Sequence, residues 1–264
     1  MTELTELHEP ILHVVRTLRS NPASHMTLND MADMACLSQF HFHRQFVRAV
    51  GNTPGEFLMA LRLELAKKLL LSTNNAVVDI CFDVGYSSPG TFNRRFTHLV
   101  GTSPERMRRL ATRFADHGIA DLENGPLSKL TPYPVVGLQC GTLICPPDFQ
   151  GICFVGLFSR RIAQSVPVAG TITNSSGPFT IEDPPDGTYN ILAAAVPSGD
   201  NAAFFSPGDT VLVGVGDRPL RIQHRDVKEP VCVRLRSLVE TDAPVVVSMP
   251  VILARSLPHL VSAA

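Results

Sequence analysis

Two arginines, Arg44 and Arg94, occupy the same place in two stretches of sequence that repeat at an offset of 50 residues. The first stretch, "SQFHFHRQFVRAVGNTP", begins at Ser38, and the second, "SPGTFNRRFTHLVGTSP", begins at Ser88. A guanidinium group carries a planar fork of donors that can form two parallel hydrogen bonds, for example to O6 and N7 of guanine. The repeat therefore offers the same bidentate donor twice, from equivalent positions.

Further side chains that can contact base edges surround the arginine of the first copy. If Phe42 and Phe46 face the interior from one side of a helix, the arginine and its neighbours face outward. Amide and imidazole groups donate or accept hydrogen bonds at base edges, and an aromatic ring can pack against a thymine methyl group. An ordinary solvated helix surface is the alternative. The predicted DNA-contacting residues of this copy are Gln39, Phe40, His43 and Arg44.

The second copy offers fewer side chains for direct contact with bases. Gly90 has no side chain, and Pro89 before it has no N–H group to donate. We therefore expect weaker base discrimination here, supplemented by phosphate contacts and by DNA shape. The positions of this copy that match those of the first copy are Gly90, Asn93 and Arg94, with Thr91 beside them.

Charge is distributed unevenly along the chain. The whole sequence has a formal net charge of −1, but residues 1–117 contain 13 Lys and Arg against 11 Asp and Glu. Six arginines and the single acid Glu105 lie between residues 94 and 113. A basic patch of this kind suits a polyanion, although such patches are also common on solvated helices. Within it, we predict Arg108 to contact a phosphate.

Capping residues predict where the helices of both copies begin and end. Ser and Thr accept hydrogen bonds from the first N–H groups of a helix, and Gly commonly follows its last residue. Each copy then contains two short helices joined by a turn, which is the helix-turn-helix unit. The predicted starts are Thr27, Ser38, Thr53, Ser88 and Ser103, and the predicted stops are Gly51 and Gly101.

A long helix, from Pro54 to about Ser72, is predicted between the two units. Its sequence, "PGEFLMALRLELAKKLLLS", is rich in good helix formers. At ~1.5 Å per residue it spans roughly 27 Å. Recognition helices about one DNA turn apart, ~34 Å, can enter consecutive major grooves on one face of the duplex. We therefore expect one chain to make two groove insertions.

These residues closely resemble the DNA-binding domain of the AraC/XylS transcription regulators. "LNDMADMACLSQFHFHRQFVRAVGNTP" resembles the first helix-turn-helix unit of that family, and "DICFDVGYSSPGTFNRRFTHLVGTSPERMRR" resembles the second. The resemblance implies a sequence-specific regulator with double-stranded DNA and RNA polymerase as partners. It places the base-contacting positions on Phe40, His43, Arg44, Gly90, Asn93 and Arg94.

The order of the two parts departs from most members of that family, in which a sensor precedes the DNA reader. Here the reader comes first, so the family's usual sugar-binding domain cannot be carried over. We leave three roles open for the second part of the chain. It could sense a small-molecule effector, mediate homodimer formation, or be purely structural.

The sequence after about residue 118 changes to short runs rich in Val, Thr, Gly and Pro. Eight or nine such runs, including "VVVSMPVIL", predict strands of an antiparallel sandwich or barrel. The segment "GTITNSSGPFTIEDPPDGTYNILA" resembles the strand-turn-strand signature of carboxypeptidase-regulatory-like and transthyretin-like sandwiches. The predicted fold is an all-α double helix-turn-helix domain at residues 1–115, a linker at 116–132 and an antiparallel β-sandwich at 133–264.

No enzymatic or metal-binding motif is apparent in the sequence. GxSxG, HExxH and phosphate-loop patterns are absent, and the six cysteines form no CxxC pair. We predict no catalytic site, cofactor or metal. The alternative is a DNA-binding module fused to an enzyme, such as a DNA-alkyl acceptor. That activity needs a cysteine in a Pro-Cys-His-Arg setting, which none of the cysteines has.

The remaining sequence signals favour a cytoplasmic protein. No run of eighteen apolar residues and no signal-peptide pattern is present. The cysteines are expected to be free thiols, with Cys36 and Cys81 in the helical core. Aspartates near predicted turns are expected to cap those turns rather than bind calcium. They are Asp183, Asp186, Asp200, Asp209 and Asp217.

Overall fold

A computed structural model describes residues 9–117, 137–208 and 210–256 of the 264-residue chain. Most of the predicted linker at 116–132, as well as Asp209, lies outside these ranges. The first range is helical. Its helices are α1 (Glu9–Ser20), α2 (Leu28–Met34), α3 (Gln39–Val50), α4 (Pro54–Ser72), α5 (Val77–Asp83), α6 (Pro89–Val100) and α7 (Pro104–His117).

The predicted helix caps are confirmed. The side chains of Ser38 and Ser88 accept hydrogen bonds from the third N–H group of α3 and of α6. Gly51 and Gly101 follow the two helices in the left-handed conformation, with φ of 81° and 91°. Thr53 forms a capping box with Glu56 at the start of α4. Because each cap depends on residues only three or four positions apart, the sequence pattern was sufficient to locate it.

The long connecting helix is also confirmed. α4 runs from Pro54 to Ser72, a length of 19 residues. One part of it packs on the first unit, where Phe57 and Leu61 join an apolar cluster with α1, α2 and α3. Its other part, including Leu63 and Leu70, packs against the second unit. α4 is therefore buried on more than one side, because it packs against both units.

The second part of the chain contains two sheets. Strands are β1 (Leu138–Ile144), β2 (Gly151–Phe158), β3 (Gly170–Thr173), β4 (Gly177–Ile181), β5 (Gly187–Pro197), β6 (Leu212–Val215), β7 (Leu220–Ile222), β8 (Val231–Arg234) and β9 (Arg236–Ser237). Two helices accompany them, α8 (Asn201–Phe205) and α9 (Met249–Ser256). The smaller sheet has the order β4-β1-β8, and the larger has the order β3-β2-β5-β6-β9 with β7 beside β5.

One strand pairing contradicts the expectation of a fully antiparallel region. β1 pairs with β8 in parallel, with Gly141 opposite Val231 and Ile144 opposite Arg234. A hairpin forces its two strands to be antiparallel, but no such constraint acts on strands this far apart in sequence. The sheet-rich character is confirmed, but the predicted antiparallel direction is wrong for this pair of strands.

Another correction concerns "VVVSMPVIL", which was expected to be a strand. Val246 and Val247 donate their N–H groups to the same carbonyl oxygen, that of Ala163, rather than to a neighbouring strand. The chain then turns into α9, which begins at Met249 with a proline at its second position. Proline suits the first turn of a helix and interrupts a strand ladder, so the apolar run is a buried loop followed by a helix.

In the larger sheet, β2 and the middle of β5 are buried on both faces. In β2, Cys153, Val155 and Leu157 belong to the apolar cluster between the two sheets. The alternate residues Ile152 and Phe154 belong to a second cluster that also contains helices of the first part of the chain. Side chains of a strand alternate between faces, so a strand covered on both sides must be apolar throughout. This explains why "ICFVGLF" contains no polar side chain.

The second helix-turn-helix unit shares its core with the sheet region. Phe92, Phe96 and Val100 of this unit lie in one continuous apolar cluster with Phe154 and Leu192 of the large sheet. None of the helices in the described ranges is both long enough and apolar enough to cross a membrane.

Candidate nucleic-acid interface

The turn of the first helix-turn-helix unit begins at a residue with left-handed backbone. Cys36 has φ of 54°. The N–H group of Leu37 donates to the carbonyl oxygen of Ala32 at 2.9 Å, and that of Cys36 donates to Asp33 at 3.0 Å. This is the Schellman pattern of hydrogen bonds that ends a helix. Cys36 is exposed at this corner, so its expected core position was wrong, whereas Cys81 is buried as expected.

The second unit repeats this turn with glycine at the left-handed position. Gly85 has φ of 86°, and Tyr86 donates its N–H group to Cys81 at 3.0 Å. The offset between the units is 49 residues at these positions but 50 at the caps Ser38 and Ser88. The second turn is therefore one residue longer than the first.

Paired phenylalanines fix both recognition helices in the same orientation. The rings of Phe42 and Phe46 have centroids 5.6 Å apart at 55°, and those of Phe92 and Phe96 are 5.6 Å apart at 53°. All four side chains are fully buried. Because the inward faces match, equivalent positions on the outward faces point the same way relative to each unit.

The outward face of α3 presents the predicted base-contacting residues together. Gln39, Phe40, His43 and Arg44 are all exposed. Phe40 leaves 77% of its surface exposed, an unusual situation for a large aromatic residue. The guanidinium of Arg44 lies over the Phe40 ring, 5.8 Å from its centroid, which is the distance of a cation–π contact.

A residue that sequence reasoning missed holds one end of this face. The Asn29 side-chain oxygen accepts a hydrogen bond from Nε2 of Gln39 at 2.8 Å. Asn29 in turn donates to the Asp33 carboxylate at 2.7 Å. Asn29 and Asp33 lie on α2, one turn apart, so the first helix of the unit orients a side chain of the second. The ten-residue separation of Asn29 and Gln39 gave no local signal of this contact.

The outward face of α6 is sparser, as the sequence suggested. Gly90, Asn93 and Arg94 are exposed, and Thr91 is half-buried. A Cβ atom added at Gly90 would have the Ser88 hydroxyl at 3.9 Å as its one neighbour within 4 Å. The position is therefore open rather than closely packed. Neither Arg94 nor its counterpart Arg44 forms an ion pair within the described residues.

The arginines of α7 differ in their surroundings. Arg106 and Arg109 are exposed. Arg108 is half-buried and donates to the carbonyl oxygens of Leu70 at 3.3 Å and Asn75 at 2.7 Å. These bonds tie α7 to the end of α4. The phosphate contact of Arg108 stays a prediction. The guanidinium groups of Arg106 and Arg109 belong to exposed residues and are more accessible to a phosphate.

The two units contact each other directly beside the connecting helix. Arg62 of α4 donates to the carbonyl oxygens of Pro22 at 3.0 Å and Ser24 at 2.9 Å. Its guanidinium also lies 5.9 Å from the centroid of the Tyr86 ring in the second turn. At Gly85 a Cβ atom would meet the Ala23 carbonyl oxygen at 2.5 Å, so glycine permits this close approach. The spacing of α3 and α6 is therefore held by direct packing as well as by α4.

Backbone groups of the sheet region cap the far end of the second recognition helix. The N–H group of Ser165 donates to the carbonyl oxygen of Leu99 at 2.6 Å, and that of Ser248 donates to Val100 at 3.0 Å. The last carbonyl groups of a helix have no partner within the helix. Here they are satisfied by the C-terminal region.

Three of the predicted turn aspartates, Asp186, Asp200 and Asp217, accept backbone hydrogen bonds, whereas Asp183 forms an ion pair with Arg225. Asp186 accepts the N–H groups of His224 and Arg225, and these bonds lower the pKa of its carboxyl group. Asp200 accepts from Ala203 at the start of α8, and Asp217 accepts from Cys232. No cluster of three or more His, Cys, Asp or Glu side chains suited to a metal occurs among the residues that the structure describes.

Comparison with known proteins identifies the helical part of the chain. Residues 31–110 match the family model described as a helix-turn-helix domain. The bifunctional transcriptional activator and DNA repair enzyme AdaA of Bacillus subtilis is 32% identical over 98 residues, which are 37% of this chain and 46% of that protein. An AraC-like transcription regulator of Streptomyces lividans is 32% identical over 110 residues, or 41% of this chain and 36% of that protein.

Among solved structures, the chain is similar to the DNA-binding domain of AdpA in complex with a target DNA, at 24% identity. The TM-score is 0.40, and the match covers 41% of this chain and 98% of the other. The chain spans less than half the length of the two curated relatives described above. The matching part, with its repeated caps, turns and recognition helices, is a double helix-turn-helix domain of the AraC/XylS family.

Proposed function

We propose that this chain is a sequence-specific, DNA-binding transcription regulator that inserts α3 and α6 into consecutive major grooves of double-stranded DNA. One observation carries the proposal: two equivalent helices, each with its phenylalanines buried, expose Arg44 and Arg94 without an ion-pair partner among the described residues. Free guanidinium groups on the outward face of a recognition helix suit base and phosphate acceptors.

The two insertions should differ in selectivity. α3 carries four exposed side chains able to contact base edges or a thymine methyl group, whereas α6 carries an open glycine in place of Phe40. We therefore infer that α3 supplies most of the base discrimination. α6 adds affinity through Arg94, Asn93 and phosphate contacts.

The test uses the full chain, because the second unit shares its apolar cluster with the sheet region. Purified protein is mixed with random duplexes, and the retained DNA is sequenced. The expected result is an enriched site with two half-sites about 10 bp apart, the stronger preference lying under α3. Retained DNA without any enriched sequence would contradict the proposal.

We further propose that residues 1–115 form the DNA reader, 116–132 a linker and 133–264 a β-sandwich of the carboxypeptidase-regulatory-like or transthyretin-like type. Two sheets that enclose a common apolar cluster support the sandwich. The hydrogen bonds from Ser165 and Ser248 to the end of α6 support a role of this region in tuning DNA binding. An effector, a second copy of the chain or RNA polymerase would bind to this region or to a surface next to it.

We propose a regulator rather than a DNA-alkyl acceptor, although one relative is named as a DNA repair enzyme. Alkyl transfer needs a reactive thiolate. Cys140 and Cys153 are buried out of reach of DNA, and burial raises the pKa of the Cys140 thiol to about 11 and that of Cys153 still further. Incubating the chain with methylated DNA and measuring its mass should reveal no added methyl group; a mass gain on any cysteine would favour the enzyme.

A further inference from the structure

Two cysteine sulfur atoms meet where the chain passes from the small sheet to the large sheet. Sγ of Cys145 lies 3.8 Å from Sγ of Cys153, and both are free thiols. Cys145 directly follows β1, and Cys153 is the third residue of β2. The sulfurs are in van der Waals contact, about 2 Å farther apart than in a disulfide.

The backbone on each side of the pair is held in place. The N–H group of Cys145 donates to the Ser176 hydroxyl at 2.9 Å, in the turn between β3 and β4. Between the cysteines, Phe149 donates its N–H group to Pro146 at 3.1 Å, which forms a tight turn. Cys153 is paired in β2 with residues of both β3 and β5. The two thiols therefore remain neighbours without any rearrangement of the fold.

The two thiols differ in access to solvent. Cys145 is half-buried, while Cys153 is fully buried between the sheets. Burial, with a smaller contribution from the neighbouring Cys145 sulfur, raises the pKa of the Cys153 thiol. A dissolved oxidant can consequently reach Cys145 first, and Cys153 is placed to react with whatever forms there.

We propose that Cys145 and Cys153 are a redox modification site that closes to a disulfide when a hydroperoxide oxidises Cys145. The Cys145 sulfur attacks the peroxide O–O bond, which gives a sulfenic acid and releases an alcohol, or water from hydrogen peroxide. The Cys153 sulfur then displaces hydroxide from the sulfenic acid. The hydroxide leaves as water with the Cys153 proton, so two thiols lose two electrons to one peroxide.

The bridge would join the end of β1 to the start of β2 and so fasten the small sheet to the large one. Neighbours of Cys153 in β2, Ile152 and Phe154, face the cluster shared with the second helix-turn-helix unit. Oxidation thus acts on the strand that supports that unit. This inference does not rest on the proposed DNA binding, because the bridge forms whether or not DNA is a ligand.

The experiment treats the reduced, purified full chain with hydrogen peroxide, blocks the remaining thiols under denaturing conditions and maps the peptides. Chymotrypsin, which cuts after Phe149, separates the two cysteines. The expected product is one pair of peptides joined through Cys145 and Cys153, reversed by dithiothreitol. Closing the loop should also raise Tm by about 5 °C.

Two variants make the assignment specific. Cys145→Ser changes a half-buried residue and should leave Cys153 reduced, with no peroxide-induced rise in Tm. The matched control Cys232→Ser should form the bridge as the wild-type chain does. Two outcomes would overturn the proposal. In one, both thiols remain free under conditions that oxidise the exposed Cys36; in the other, Cys153 is recovered joined to Cys140.

Discussion

Nζ of Lys67 lies 2.7 Å from the carbonyl oxygen of Val245, a residue 178 positions later in the chain, and the lysine is fully buried. Lys67 belongs to α4, the helix between the two helix-turn-helix units, and Val245 belongs to the loop before α9. Burial of the ammonium group lowers its pKa to about 8, and the nearby Glu64 offsets only part of this effect. A buried ammonium group with one carbonyl partner destabilises the folded chain. The free energy of unfolding therefore depends on whether Lys67 is protonated, and so on pH.

The first prediction concerns that pH dependence. Lys67 has a lower pKa in the folded chain, about 8, than the ordinary 10.5 of the unfolded chain. Between these values the unfolded state holds more protons, so the free energy of unfolding rises with pH across this window. Relative to Lys67→Met, wild-type stability should increase by about 2 kcal/mol from pH 7.5 to pH 9.5. Urea unfolding with a reductant present measures it.

The neighbouring lysine provides the control for this comparison. Lys68 has a side chain 55% exposed, so Lys68→Met should keep the wild-type dependence on pH. If Lys67→Met follows the wild-type curve across the same window, the lysine is not buried as the structure has it.

The second prediction compares the two helix-turn-helix turns. Cys36 occupies a left-handed conformation that glycine adopts without strain, so Cys36→Gly should stabilise the protein by about 0.5–1 kcal/mol. Gly85→Ala should destabilise it by about 2 kcal/mol or more, because φ is 86° and the new Cβ would meet the Ala23 carbonyl oxygen. Thermal or urea unfolding checks both.

In this series Cys36→Ala separates loss of the thiol from relief of backbone strain. It keeps the Cβ atom and should change stability little. A gain as large as that of Cys36→Gly would mean that the left-handed conformation costs nothing.

The third prediction separates residues that read bases from residues that anchor the backbone. Arg44→Ala should cost about 1–3 kcal/mol on the preferred DNA site and relax the preference at one position. Arg109→Ala, an exposed arginine of α7, should weaken binding to all sequences and reduce the salt slope by about one. Titrations on the preferred and a scrambled duplex at several salt concentrations measure both effects.

Arg108 is less suited to this test. Removing its guanidinium also removes the hydrogen bonds to Leu70 and Asn75, so stability and DNA affinity would change together. Uniform loss of affinity in both Arg44→Ala and Arg109→Ala would show that α3 does not discriminate between bases.

The fourth prediction concerns the distance between half-sites. α4, the Arg62 hydrogen bonds and the contact of Gly85 with Ala23 fix α3 relative to α6. Inserting ~5 bp between the half-sites moves the second major groove to the opposite face of the duplex, where a rigid pair cannot follow. Affinity should fall to that of a site with one half-site. Footprints covering both half-sites on the expanded DNA, with unchanged affinity, would refute a rigid arrangement.

The sequence by itself determined the helices and turns of the double helix-turn-helix domain. Ser38 and Ser88 cap their helices through residues three positions away, and Gly51 and Gly101 end them through a single backbone conformation. The repetition of these caps at a fixed offset made them recognisable. The outward position of Arg44 and Arg94 followed from the spacing of the phenylalanines around them, because helix periodicity is a local property.

Only the tertiary structure decided what those elements pack against. The unbroken apolar run "ICFVGLF" indicates a strand covered on both faces but not which segments cover it, so the core shared by Phe96 and Phe154 could not be foreseen. The parallel pairing of β1 with β8, the helix at Met249 and the hydrogen bonds of Arg108 likewise depend on partners distant in sequence. Such contacts form only when the whole chain folds. Burial by distant segments stabilises apolar side chains and destabilises charged ones, and a local stretch of sequence does not show where that burial occurs.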